Sequence, residues 1–400
     1  MTRALLVSVA RIISAALAAT PFMAGVARAG TVTSGVGVSG AAEYSTNPFL
    51  LDTTNGGVVR GYVSVSPSIE DKSARSSLRV SANATFSKYS RQYRDSVDLS
   101  SQVGYNVVLD RGLSVRAGVS ISSAIGAGYQ NSAVFVPPNL DDAVPQPIDF
   151  TLVGTTQRTT SARGSAGVNY AVDAKNSLSL GYDVGVLRFP TGGGRNEYSN
   201  LSQSASYSRV INPRVSVGAS VSVARVDYFG TALGDARIIS PSANASLRVA
   251  RQWTISGGVG FSSTRVNVVG GAFTSTDLSG SLSACRADQR TNFCLNGGRS
   301  TGASSIDGVR TTSSLGVSYS YKITSRDTLS ASGGYSRSGT PRLSIVGPTT
   351  YVSASTRYER RFASNISAYV AGGFTRSTLE QTRSNASISM GINYNFGSRR

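Results

Sequence analysis

The residue types that most enzymes need are nearly missing from this chain. Its 400 residues include no histidine, which removes the commonest general base, the commonest metal ligand and the usual nucleophile triads. Cys285 and Cys294 are the only cysteines. Without histidine they lack partners for a metal site, and the spacing predicts a disulfide that staples a loop in an oxidising compartment. Gly192-Gly193-Gly194-Arg195 is not followed by a helical pattern, so it reads as an external loop rather than a phosphate cradle. These observations predict a protein that is not an enzyme and that uses no cofactor or metal.

Arginine is the chemistry that remains. The formal net charge is +18, and nearly all the positive charge is arginine. A basic chain raises nucleic acid as a partner, but there is no Lys/Arg block and the arginines are spread singly, so no nucleic-acid partner is expected. Many arginines fall on the polar side of segments in which polar and apolar residues alternate. By parity these are Arg60, Arg79, Arg116, Arg163, Arg248, Arg310, Arg357 and Arg383, with Glu43, Asp98, Asp183 and Glu359 as the acidic residues of that face. The set has two readings: an electropositive lumen that favours anions, or a network of Arg–carboxylate pairs filling a closed interior. Asp141, Asp142 and Asp149 lie in a long proline-bearing segment, Ala127 to Thr155. That segment is a candidate constriction loop that folds toward the arginines, or a plain exposed loop.

The elements that must position these residues are strands. In the last segment Ala386, Ile388, Met390, Ile392, Tyr394 and Phe396 alternate with Asn385, Ser387, Ser389, Gly391, Asn393 and Asn395. Successive side chains of a strand point to opposite faces, so this segment has one apolar and one polar face. The same alternation runs through Leu78–Phe86, Val97–Val107, Val215–Val223 and Leu315–Tyr321. The last segment has about the 10 residues that cross a bilayer at a tilt.

Short turns near Asp71, Asp110, Asp173, Asn212, Arg251, Ser325 and Ala363 are mostly about 39 residues apart. Two gaps are longer, one holding Ala127 to Thr155 and one holding Val268 to Gly308, which also contains the cysteines. Short turns alternating with longer connections are the asymmetry of outer-membrane barrels. The prediction is all-β: an antiparallel up-and-down transmembrane barrel of about sixteen strands, with short periplasmic turns and longer extracellular loops. Residues 1–29 read as a signal peptide, with Arg3 and Arg11, an apolar stretch from Ile12 to Ala19 and an Ala27-Arg28-Ala29 cleavage site. Residues 30–400 form the barrel domain. Aromatics such as Tyr105, Tyr170, Tyr207, Trp253, Tyr319 and Tyr358 track the short turns, as an interfacial girdle would.

The stretch Gly37 to Phe49, ending Glu43-Tyr44-Ser45-Thr46-Asn47-Pro48-Phe49, resembles the opening strand and loop of the β-barrel porin 2 family, and the strand arrangement over most of the chain is also similar. The resemblance implies an outer-membrane barrel, often linked to surface or exopolysaccharide export. One departure is the ending, where Phe396 is followed by Gly397-Ser398-Arg399-Arg400 rather than closing the chain on an aromatic residue. The functional expectation is a channel for passive or export-linked passage of small polar or anionic solutes. The alternative is a non-conducting structural barrel with ligand-binding external loops. Expected partners are outer-membrane lipid, lipopolysaccharide (near Arg225, Arg265 and Arg376), the barrel assembly machinery and further copies of the chain in a homo-oligomer.

Overall fold

The computed structural model describes residues 30–51, 56–91, 93–125, 156–190, 196–229, 234–268, 271–305, 308–339, 347–379 and 381–397. The expected signal peptide and the candidate constriction residues Asp141, Asp142 and Asp149 lie outside the described residues.

The described chain is a single closed sheet. Its first strands are β1 (Thr31–Ser45), β2 (Val58–Lys72), β3 (Ser76–Tyr89), β4 (Ser96–Asp110), β5 (Leu113–Ile125) and β6 (Arg158–Ala171). Next come β7 (Asn176–Arg188), β8 (Glu197–Asn212), β9 (Val215–Phe229), β10 (Asp235–Arg248), β11 (Trp253–Val268) and β12 (Gly271–Ala287). The last six are β13 (Thr291–Ser304), β14 (Gly308–Lys322), β15 (Asp327–Ser338), β16 (Thr349–Arg361), β17 (Ile366–Leu379) and β18 (Gln381–Phe396). Every strand is antiparallel to its chain neighbours, and β1 also pairs with β18 from Val36↔Phe396 to Ser45↔Ser387. Closure leaves no edge strand and gives the backbone polar groups partners without water, the condition for crossing hydrocarbon.

The side chains divide by parity. Ile388, Met390 and Ile392 of β18 are 54%, 61% and 59% exposed, and their neighbours on other strands, such as Val259, Leu278, Leu315 and Phe374, are exposed as well. Large apolar groups in that state are stable only against lipid. The opposite parity carries Ser, Thr, Asn and Gly. Hydroxyls pair across neighbouring strands at Ser122–Ser161, Ser220–Ser242, Ser240–Ser262 and Ser332–Ser355, with oxygens 2.7–2.8 Å apart. The wall is apolar outside and hydroxylated inside.

The barrel has eighteen strands rather than about sixteen. The difference lies in Val268 to Gly308, expected as a loop, where the chain forms β12 and β13. Their outward residues are sparse: Leu278 and Leu282 are the only large apolar ones on β12, and Arg299 and glycine interrupt β13. The disulfide is relocated with them. Cys285 and Cys294 are direct ladder partners, joined by their sulfurs, in the inner face of the wall close to the Asp288–Arg290 turn. They staple two strands rather than an external loop.

Five of the short turns share one device. Asp173 accepts the amides of Lys175 and Asn176 at 2.7 and 2.8 Å, Asn212 those of Arg214 and Val215 at 2.9 and 3.0 Å, and Asp288 those of Arg290 and Thr291 at 2.9 and 2.7 Å. Ser73 and Thr324 do the same through a hydroxyl. A side chain that accepts amides two and three residues on closes a tight turn without glycine. These bonds favour the ionised carboxyl. Asp173 is held below the usual aspartate range chiefly by the Asn176 side chain, and Asp288 chiefly by the Thr291 amide.

Candidate lumen and constriction

Ladder partners share a face, which places the arginines. Arg60 on β2 stands opposite Glu43 on β1, and Arg79 on β3 opposite Glu70 on β2. Arg116 faces Gly167, Arg163 is paired with Ser120 and Gly185, and Arg248 with Thr254. With Arg310, Arg357 and Arg383 they all project from the inner face, as do Glu43, Asp98, Asp183 and Glu359. The structure adds two inner carboxylates, Glu70 and Asp277. Glu70 sits one residue past the expected end of its strand, and Asp277 lies on β12, in the segment expected as a loop.

Several of the inner charges are paired, Arg163–Asp183 and Arg60–Glu43 in the outer half and Arg357–Glu359 nearer the periplasm. Arg163 donates through Nε and Nη2 to Asp183 at 3.1 and 2.8 Å, and Arg357 through Nη2 to Glu359 at 2.9 Å. Arg60 is 3.5 Å from Glu43, with the two side chains 10% and 13% exposed, and donates through Nε and Nη2 to Ser87 Oγ. Tyrosines complete this corner: the Arg357 guanidinium lies 3.7 Å from the Tyr369 ring centre, and the Tyr369 and Tyr62 hydroxyls are 2.8 Å apart. These groups border a cavity of about 250 Å³. Nearer the periplasm Arg79, Arg116 and Arg248 are exposed on the inner face.

Two segments fold inward at the outer end. The first is Asn47–Leu51. The Asn47 side chain accepts the Leu51 amide at 2.9 Å and donates to the Leu51 carbonyl at 3.0 Å, closing a turn in which Leu50 takes a φ of 52°. A non-glycine residue there is strained unless its surroundings hold it. Leu50 is held: it is fully buried against Tyr351 of β16, and Arg383 donates to its carbonyl at 3.2 Å. Phe49 packs on Tyr89 of β3 and on Tyr93. The turn therefore lies across the inner side of the mouth between β16 and β3.

The second segment is the tip of the β13–β14 hairpin. β12 and β13 pair only from Gly280↔Arg299 to Ala287↔Asn292, although both strands continue outward. Beyond Thr312↔Ser338, β14 also leaves β15. The freed tip crosses to the inner wall of β8–β10. Val309 joins a buried cluster with Val226, Tyr228, Ala236 and Ile238, and Ala303 packs against it. The Asn196 amide donates to the Ser305 carbonyl at 2.6 Å, and the Ser304 amide lies 3.4 Å from the Tyr228 hydroxyl. Asp277 clasps the base, 3.6 Å from Arg299 and accepting from Thr311 at 3.3 Å. A cavity of about 710 Å³ lies between the tip and the wall, with Arg163, Asp183 and Asn200 on its border. Arg310 and Arg383 thus face inward but are engaged in these segments, and Arg310 is only 3% exposed. Neither segment was expected from the sequence as a constriction.

Closure, the outward apolar band and the hydroxylated, charged interior define a transmembrane β-barrel of the outer-membrane type. No protein-family model matches the chain, and no curated protein matches it in sequence. Among solved structures it is similar to Pseudomonas aeruginosa OccK9 (OpdG), with a TM-score of 0.48 and 11% identity over 92% of this chain and 98% of that one. It is also similar to the outer membrane protein opdK of the same organism (TM-score 0.47, 11% identity, 92% and 99% covered) and to OccK2 (OpdF) solved with glucuronate (0.47, 10%, 92% and 98%).

Proposed function

We propose that this barrel is a channel for passive passage of small polar solutes across the outer membrane, with a preference for anions. The observation that carries the reading is the inner wall. Among the described residues it is lined by hydroxyls and amides and carries more arginines than carboxylates, and Arg79, Arg116 and Arg248 are solvent-exposed in the periplasmic half. Wall arginines concentrate anions and repel cations over about a Debye length, roughly 8 Å at physiological salt. The purified barrel in planar bilayers gives stepwise conductance, with a reversal potential on the anion side under a salt gradient. Arg79→Glu and Arg116→Glu move that potential toward cations, by less as salt rises. Arg237→Glu, on the outer face, leaves it in place. Well-folded protein that never conducts overturns the reading in favour of the rival, a plugged barrel that works through its outer surface. The two inward segments are what favour that rival. The resemblance around Gly37–Phe49 adds a finer reading, a channel serving surface-polysaccharide export; its check is the loss of exported polysaccharide in a deletion strain.

A further inference from the structure

The outward face of the barrel changes character at one height. Along β9 it runs Val215, Val217, Ala219, Val221, Val223 and then Arg225. The ten residues from Val215 to Arg225 rise about 26 Å at 3.4 Å per residue and a tilt near 40°. That is the height of the apolar band of such barrels, about 25 Å, so Arg225 stands where hydrocarbon gives way to headgroups of the outer leaflet. The neighbouring strands repeat this. Arg237 on β10 is the direct partner of Arg225, and Arg265 on β11 is the direct partner of Arg237. Arg337 on β15 and Arg376 on β17 point outward at the same height, ten residues above the start of their strands. All five are exposed.

The Arg225–Arg237–Arg265 row is the densest part of this belt. Like charges directly opposite on adjacent strands destabilise a sheet, and here two such pairings occur in succession. Arg225 is compensated by Asp227 at 2.9 Å and Asp235 at 3.0 Å. Among the described residues neither Arg237 nor Arg265 is in an ion pair. Two uncompensated arginines whose Cβ atoms stand about 5 Å apart, at the edge of a membrane, offer bidentate donors to a doubly charged oxyanion.

We propose that the outward row Arg225–Arg237–Arg265 binds the phosphate groups of a phosphorylated glycolipid, the lipid A part of lipopolysaccharide, and so fixes a specific lipid against β9–β11. Arg237 and Arg265 hold the phosphate. Arg225 is tied to its two aspartates and borders the site. The row lies outside the barrel and its role does not depend on conductance, so it stands or falls separately from the channel reading.

The test uses the full-length folded barrel in detergent, titrated with diphosphorylated lipid A, with the same lipid dephosphorylated, and with inorganic phosphate, read by native mass spectrometry. Wild-type protein binds the diphosphorylated lipid at least about tenfold more tightly than the dephosphorylated one, and excess inorganic phosphate does not displace it, because the acyl chains lie against Val223, Ile239 and Phe261. The pair Arg237→Gln/Arg265→Gln loses about tenfold in lipid A affinity and keeps its heat-modifiable migration on gels. Arg209→Gln, near a periplasmic turn, binds as wild type. Equal binding of the two lipids by wild type, unchanged affinity in the double variant, or displacement by inorganic phosphate overturns the proposal.

Discussion

Val309→Asn tests whether the β13–β14 tip is docked across the lumen by packing. Val309 is 8% exposed and sits against Val226, Tyr228, Ala236 and Ile238. Burying a valine side chain is worth about 1.5–3 kcal/mol, and leaving a buried amide without partners costs a further 1–3 kcal/mol or so. The substitution therefore weakens docking by roughly 3–5 kcal/mol, which raises the undocked population by about a hundredfold to several thousandfold. The barrel itself is unaffected, because residues 301–304 and 308–311 pair only with each other. Arg310 supplies the reporter. It is 3% exposed when the tip is docked, and trypsin cuts after it only when the tip leaves the wall and its two-stranded end frays. While reclosing outpaces cleavage, the rate follows the open population. Cleavage after Arg310, identified by mass in folded protein, accelerates by at least a hundredfold. In planar bilayers the same variant conducts more and fluctuates more. If Val309→Asn is cut after Arg310 no faster than wild type, the hairpin is held by something other than this cluster.

Two further outcomes follow from the wall and its turns. Cys285→Ala/Cys294→Ala leaves a closed, heat-modifiable barrel, because the strands around the bond remain paired from Gly280↔Arg299 to Ala287↔Asn292; its unfolding free energy in denaturant falls by at most about 2–3 kcal/mol, the entropic value of so short a loop, and a larger fall refutes the ladder as the main support. Asp288 is held below the usual range by the Thr291 and Arg290 amides, so its support of the turn is present above the unfolded aspartate range and is lost as pH falls through the lowered folded value. Hydrogen exchange at the Thr291 amide, corrected for its intrinsic rate, speeds up on acidification in that range, and in Asp288→Ala it is already fast at neutral pH and flat across it.

The closed barrel was legible because two periodicities agree, the alternation within strands and the spacing between turns. Where they parted, the alternation was the weaker guide. The gap from Arg251 to Ser325, about 74 residues, is two periods of the turn spacing, and the missed turn falls at its midpoint. Asp288-Gln289-Arg290 has the form of four of the other turns, Ser73-Ala74-Arg75, Asp173-Ala174-Lys175, Asn212-Pro213-Arg214 and Thr324-Ser325-Arg326: an acceptor side chain, one residue, then a basic residue. That pattern marks the place where two amides must be satisfied in so short a connection. It was available even where β12 and β13 carry too few large apolar residues to announce themselves as strands.

The inward segments were not legible in the same way, and the reason is physical. Parity says which face a side chain occupies while its strand stays in the wall, and it fails where a strand leaves the wall. Thr301 and Ala303 have the parity of the lipid-facing residues Leu295 and Gly297, yet they border the cavity behind the hairpin. The departure depends on long-range contacts: Asp277 with Arg299 and Thr311 at the base, and Tyr228 and Ile238 at the tip. One local signal was present. Asp277 lies on the inner face directly opposite Ser262 rather than opposite a basic residue, and its compensation comes from Arg299, whose own parity points outward. A carboxylate and an arginine of opposite parity can meet only if the ladder between their strands is interrupted near them, and it ends at Gly280↔Arg299. Inner-face acids without a basic ladder partner also occur on strands that stay in the wall, Asp183 opposite Ser165 and Ser202 and Glu359 opposite Thr328 and Tyr369, so the Asp277–Arg299 contact is a signal only together with the break in the ladder.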